Sequence, residues 1–338
     1  MKDSANAAGR AMCVLLTALG LVACHHPVVT LQSAGPPLVV KRPALYPETI
    51  EYDRTRDRFL LGSFREGAIY AVSRDGAVSM LVNDPRLCSV LGIAVDAQRG
   101  RLWAVNADLG ASERPSAAGP KQLAAVGVYD LQTGKVLDYF ELGMLLPGPH
   151  LLNAIALDSV GNAYVSDSFT PALYRIDASG HASVLLRSAR FMGQGVNLNG
   201  VVVHPDGYLL VIKKSDGSLF KVPLAEPARF AKVSIDRTLV GGDGLTLIGT
   251  RSLVVIANRT PGLASNTAFA LTSDDAWASA KVTAAQPLDD TYPTTAVVRD
   301  RVLYVVSSKL DQLLASPADQ QKRLRAEATI RRIGEVSE

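Results

Sequence analysis

Between Tyr46 and Ser308 a pattern of apolar runs and polar turns returns six times. Each unit opens on a short apolar run, turns on Asp, Gly or Pro, and continues into a second apolar run. A loop then leads to a third run that carries an aromatic residue or Leu. The first runs begin near Ile50, Ile93, Ile155, Val201, Leu245 and Ala296, at spacings of 43, 62, 46, 44 and 51. Second runs begin at Phe59, Leu102, Ala163, Tyr208, Leu253 and Val302, and third runs at Ala68, Val126, Ala172, Ser218, Thr267 and Gln312. Fourth runs are weaker, as in "AVSMLV" from Ala77 and "KVLDYFEL" from Lys135. Near-continuous Val, Ile and Leu in the first two runs means burial on both faces, as when sheets stack on one another. A period in the forties with four strands per unit predicts an all-β fold. The expected architecture is a six-bladed β-propeller of four-stranded antiparallel blades around a central channel. The strand Leu38-Val39-Val40 is expected to complete the last blade, with "AEATIRRI" as a further closing strand near the C-terminus.

Residues 1–24 read differently. Lys2 and Arg10 precede an apolar run from Ala11 to Ala23 that is too short to span a bilayer, the pattern of a secretory signal. It ends in Leu21-Val22-Ala23-Cys24, which resembles the lipobox of bacterial lipoproteins and makes Cys24 the expected lipidation site. The implied location is the bacterial cell envelope, membrane-anchored and facing the periplasm. Residues 25–43, with Pro27, Pro36, Pro37 and Pro43, read as a tether, and 44–338 as one propeller domain.

At 48% hydrophobic and 20% charged residues the 338-residue chain can bury a large core. Its formal charge of +3 is scattered, which excludes nucleic acid as a partner. Removing Lys2, Asp3 and Arg10 with the signal leaves +2. The basic tail from Gln320 reads as a solvated edge rather than a lipid-binding patch. With Cys13 in the signal and Cys24 lipidated, Cys88 stands alone among apolar neighbours and is expected to be buried and inert. No Cys-x-x-Cys, His-Glu-x-x-His or Gly-x-Ser-x-Gly occurs, so these routes to a zinc site, a metalloprotease helix or a nucleophile elbow are closed.

Two residues before each first-run marker stand Glu48, Leu91, Asn153, Asn199, Asp243 and Thr294. Taken singly they are ordinary: Asn199-Gly200 and Asp243-Gly244 are turn dipeptides, and Glu48 is a solvated edge charge. Related by rotation, they would stand around one channel mouth, and their carboxylate and amide oxygens suit a hard cation. Loops after the second runs open on the same side. They bring Asp108, Asp167 with Ser168, Lys213 with Lys214, and Asn258 with Arg259 to the rim, where Asp167 and Asn258 are candidate substrate contacts and a solvated loop charge is the alternative for each. The insert from Leu109 to Gln122 is either a lid or a disordered loop.

These motifs carry a family resemblance. Glu48 in "YPETIEYD", Asn153 in "LLNAIALDSVGNAYVSD", Asn199-Gly200 in "LNGVVVHPDGYLLV" and Asp243-Gly244 in "GGDGLTLIG" resemble the family of senescence marker protein, gluconolactonase and luciferin-regenerating enzyme. The resemblance covers about Tyr46 to Ser308. It implies a six-bladed propeller that binds one divalent cation in its channel and opens small esters or lactones. By that resemblance Glu48, Asn199 and Asp243 hold the metal, Ca²⁺ ahead of Mg²⁺, Mn²⁺ or Zn²⁺. Asp243 also serves as the catalytic proton acceptor, and Asn153 orients substrate. Two departures stand out. Leu151 occupies the place of the Arg that sugar-lactone hydrolases of the family carry, and no Gly precedes Glu48. The expected partner is a small-molecule substrate, and the expected state a monomer. The alternative function is a non-catalytic cell-envelope propeller that binds a ligand or protein. A strictosidine-synthase-like propeller lacks support, because no His on the inner strands stands out for its acid-base step and His204 lies near a turn.

Overall fold

The computed structural model describes residues 27–260, 262–263, 266–289 and 291–337. The expected signal segment and Cys24 lie outside the described residues. Six sheets form the blades, antiparallel except that the short strand Ser234–Ile235 runs parallel to Ser279–Pro287 at the outer edge of blade 5, with inner strands Pro47–Asp53, Ser89–Asp96, Leu152–Leu157, Leu198–His204, Gly242–Ile248 and Pro293–Arg299. In blades 1 to 5 the chain runs outward strand by strand, as the apolar pattern predicts. Their second strands are fully buried or nearly so, because each sheet is covered on both faces by its neighbours. The core lies between blades, in clusters that draw from adjacent sheets, such as Tyr208, Leu210 and Ile212 of blade 4 with Leu253 and Val255 of blade 5.

Blade 6 corrects two expectations. The run from Gln312 is not its third strand: Leu310–Ala315 is a helix, and the third strand is Thr329–Ser337. Leu310 and Leu313, three apart, bury one helical face against the core, a spacing that a strand would send to opposite sides. Within the expected tether, Val28–Leu31 is the outermost strand of this blade, running antiparallel to Gly334–Ser337, while Leu38–Val39 pairs with Thr329 and Ile330. The N-terminal strand therefore closes the ring by covering the edge of the C-terminal one.

One local feature positions the site. In all six inner strands the pairing register shifts at the position two before the marker: between Pro47 and Thr49, Val90 and Ile93, Leu152 and Ile155, Leu198 and Val201, Gly242 and Leu245, and Pro293 and Ala296. Such bulges bend a strand and re-aim the side chain they contain. Asn199-Gly200 and Asp243-Gly244 are thus strand residues, not turns. Their glycines serve close approach: a Cβ on Gly200 would stand 2.4 Å from the Asp243 carbonyl oxygen, and one on Gly244 2.6 Å from that of Thr294. Hydroxyls stitch blade 3 to blade 4, blade 5 to blade 6 and blade 6 to blade 1 near this level. Ser166 donates to the Asn199 carbonyl at 2.6 Å, and Ser308 donates to that of Pro47 at 3.0 Å across the closure.

Candidate site at the channel mouth

A cavity of about 460 Å³ occupies the channel. Glu48, Asn153 and Asn199 line it at the bulged end, followed by Val95, Leu157 and Val203 toward the other. Glu51 and Arg54 are the charged side chains farther along its wall. Glu48, Asn153, Asn199 and Asp243 are all buried, as are Leu91 and Thr294 at the remaining two ring positions. Glu48, Leu91, Asn153 and Asn199 line the cavity, whereas Asp243 and Thr294 are buried next to the lining residues Gly244 and Thr295. Leu91 belongs to an apolar cluster with Leu310, Leu313, Ala111 and Leu151, so blades 2 and 6 give this mouth a hydrophobic side.

The charged side is built around Asp243. Its Oδ2 accepts a hydrogen bond at 2.9 Å from Nζ of Lys214, the residue just past the second strand of blade 4. Asn258, just past the second strand of blade 5, donates its Nδ2 to the same oxygen and accepts from Lys214 through Oδ1. Asp243 Oδ1 is buried with no partner. Burial pushes the Glu48 carboxyl well above the usual range; Asp243 pushes it further up, and Lys214 partly offsets both. Burial pulls the Lys214 ammonium down, but Asp243, Tyr292 and Glu48 more than offset that, so its pKa is raised and it remains charged. Glu48, Asp243 and Lys214 thus form one electrostatic unit, and Tyr292 stacks its ring 5.6 Å from the ammonium.

This donor set does not suit the divalent cation that the resemblance implies. The oxygen of Asp243 that two donors share is occupied by a fixed positive charge. A dication about 4 Å from that ammonium would be repelled by roughly 8 kcal/mol at an effective dielectric constant of about 20. Among the described residues, no group of three or more His, Cys, Asp or Glu side chains is arranged to hold a metal ion.

The blade 3 corner contrasts with it. Asp167 lies here, but both of its oxygens are engaged. Oδ2 meets Nδ1 of His150 at 2.7 Å, and Oδ1 accepts the backbone N–H groups of Leu151, Phe169 and Thr170, each at 3.0 Å. His150 Nε2 lies 3.0 Å from the Leu146 carbonyl. Asp167 therefore anchors a loop, whereas Asn153 beside it reaches the cavity with its Nδ2 3.2 Å from Ser168 Oγ. Asp108 plays a similar part in blade 2. Its oxygens accept from Gly110 and Ser116, so the 109–122 insert is held down rather than loose, and Glu113 pairs with the buried Arg65 at 2.9 Å. Lys213 points away from the ring to Asp216, and Arg259 pairs with Asp311. Cys88 is buried, and burial pushes its thiol up to about 12.

Sequence reasoning brought Lys214 and Asn258 to the rim without linking either to Asp243. The signal was their shared register: Ser168, Lys214, Asn258 and Ser308 each stand just past or at the end of a second strand, opposite a bulge. His150 carried no sequence signal.

No family profile and no curated protein matches the chain. Solved structures do. The major Malassezia sympodialis allergen Mala s 1 aligns over 89% of this chain and 97% of its own, with a TM-score of 0.69 and 19% identity. A luciferin-regenerating enzyme aligns over 88% and 95%, with a TM-score of 0.58 and 12% identity. A gluconolactonase of Xanthomonas campestris aligns over 90% and 97%, with a TM-score of 0.56 and 11% identity. Gluconolactonase and luciferin-regenerating enzyme thus share this six-bladed fold. At these identities the likeness is one of fold.

Proposed function

We propose that the protein is a hydrolase of small lactones or esters that works at the bulged mouth of the channel, in the cell envelope to which the expected Cys24 anchor would hold it. The observation that carries this reading is the convergence of buried Glu48, Asn153, Asn199 and Asp243 with the largely buried Lys214 from four blades, with Asp243 Oδ1 left unpartnered. Buried polar groups are normally satisfied, and exceptions concentrate where a ligand completes the set. The gluconolactonase with the same fold lends the substrate class.

The residues divide the work as follows. Asn153 and Asn199, on the cavity wall, hydrogen-bond the substrate and orient its acyl group. Lys214, kept charged by Asp243, stabilises the negative charge that develops on the carbonyl oxygen. Glu48 faces the cavity, and burial beside Asp243 raises its pKa, which makes it a stronger base than an exposed carboxylate. It accepts the proton of a water whose oxygen bonds to the acyl carbon. As the carbon–oxygen bond to the leaving group breaks, that proton passes to the leaving oxygen, giving an acid and an alcohol, or a hydroxy acid from a lactone. Asp243, expected from the resemblance to take the proton itself, has Oδ2 engaged by Lys214 and Asn258 and acts here as the anchor of the ammonium.

A panel of γ- and δ-lactones and aryl esters tests the reading. Turnover by the wild-type protein that falls about 100-fold in Glu48→Gln supports it. A panel with no turnover, in which a lactone still binds at the mouth, would leave the non-catalytic propeller as the function.

A further inference from the structure

We infer that Lys214 takes the place of a metal ion in this propeller: its ammonium is the resident cation of the mouth, and the native protein needs no divalent cation there. The inference deepens the reading of the same site, on which it rests for the claim that the mouth receives a ligand, but it concerns what supplies the positive charge.

Three observations carry it. Lys214 reaches out of blade 4 across to blade 5, and its Nζ meets both Asp243 and Asn258, the two polar side chains at that corner. Asp243 is buried and Lys214 largely so, with side chains 4% and 14% exposed, so the ammonium is not a surface charge that happens to lie nearby. Asp243 Oδ2 already accepts from two donors, the Lys214 ammonium and the Asn258 amide, so the carboxylate oxygen at that corner is paired with a fixed positive charge. The positive charge of the corner is thus supplied by the chain itself, and the free Asp243 Oδ1 is left for a hydrogen-bond donor of the ligand. The ammonium also differs from a metal ion in what it can do. It donates hydrogen bonds to a carbonyl or carboxylate oxygen, but it offers no coordination site for water. The site should therefore favour substrates whose acyl oxygen can accept directly from Nζ, and chelators should not affect it.

Removing the lysine should uncover a cation site. Mn²⁺ binding, measured by water-proton relaxation and by calorimetry, is compared in the wild type, Lys214→Ala, and Lys214→Ala combined with Asp243→Asn. The inference expects no stoichiometric Mn²⁺ binding in the wild type, one site in Lys214→Ala that binds at least tenfold more tightly, and loss of that site in the double variant. It is overturned if the wild type binds one Mn²⁺ that Asp243→Asn removes, or if folded Lys214→Ala gains no cation. Lys214→Met, which keeps the stem and drops the charge, serves if the alanine variant does not fold. If neither folds, stoichiometric Mn²⁺ on the wild type still overturns the inference, and its absence upholds it. Because the readout is cation binding, the inference can fail while hydrolysis stands, and an inactive protein can still uphold it.

Discussion

Blades 3 and 5 each bury an aspartate at the same mouth, yet the two are used in opposite ways. Asp167 is saturated: an imidazole and three backbone N–H groups account for both oxygens. Asp243 is lopsided, with Lys214 and Asn258 on one oxygen and nothing on the other, and a second carboxyl, Glu48, close enough to be raised by it. A saturated carboxylate holds the backbone, whereas one with spare capacity is available to a ligand.

The sharpest break of that comparison is a pair of stability measurements. Asp167→Ala strands the His150 ring and three buried N–H groups, and should lower unfolding free energy in urea by about 3–5 kcal/mol. Asp243→Asn should cost clearly less, because Glu48 can ionise and take over the charge of Lys214. An equal or larger cost would make Asp243 as architectural as Asp167.

Next in size is the effect of Glu48→Gln. It should cut hydrolysis about 100-fold, roughly 2.7 kcal/mol in the barrier, while leaving stability unchanged or slightly higher, since it removes a buried acid that Asp243 repels. A variant that keeps activity and loses stability would invert the assignment.

A third test uses Glu51 on the channel wall, whose carboxyl burial raises to about 7. A folded-state pKa above the unfolded value of about 4.5 gives stability that is fully present below pH 4.5 and lost as pH rises through 7. The loss should be about 2 kcal/mol, after the open channel's solvent screening is allowed for, and absent in Glu51→Gln. Urea midpoints across pH 4 to 8 for both proteins decide it; parallel curves would mean that Glu51 is hydrated.

The smallest effect belongs to His150. Burial opposes its protonation, but the Asp167 hydrogen bond and charge outweigh that, so its pKa lies above 6.5. Its contribution is therefore present below about pH 6.5 and lost as pH rises through the folded value. His150→Gln should flatten that part of the curve. If it instead abolished turnover with stability intact, the blade 3 corner would be catalytic.

The propeller and the ring were legible in the sequence because both follow from local repetition. Near-continuous apolar runs recurring along the chain marked out five blades, and the residue two before each marker turned out to sit in a bulge every time. What was not legible depends on contacts remote in sequence. The helix Leu310–Ala315 shares its Leu content with a strand and differs only in spacing, and the pairing of Val28–Leu31 with Gly334–Ser337 joins the two ends of the chain. Lys214 reads as one of two adjacent rim lysines until the fold separates them: Lys213 turns to Asp216, while Lys214 crosses to Asp243. Gly200 and Gly244 misled in the same way, since a glycine needed for close approach to the next strand looks like a turn glycine in the sequence.

The most direct test is a crystal structure of the wild-type protein grown with Mn²⁺, with data collected to show the metal's anomalous signal. The account predicts Glu48, Asn153, Asn199 and Asp243 around one mouth, the Lys214 ammonium between Asp243 and Asn258, and no anomalous peak among them. A manganese peak on Glu48, Asn199 and Asp243 with Lys214 displaced, or oxygens too far apart to meet one ligand, would contradict it.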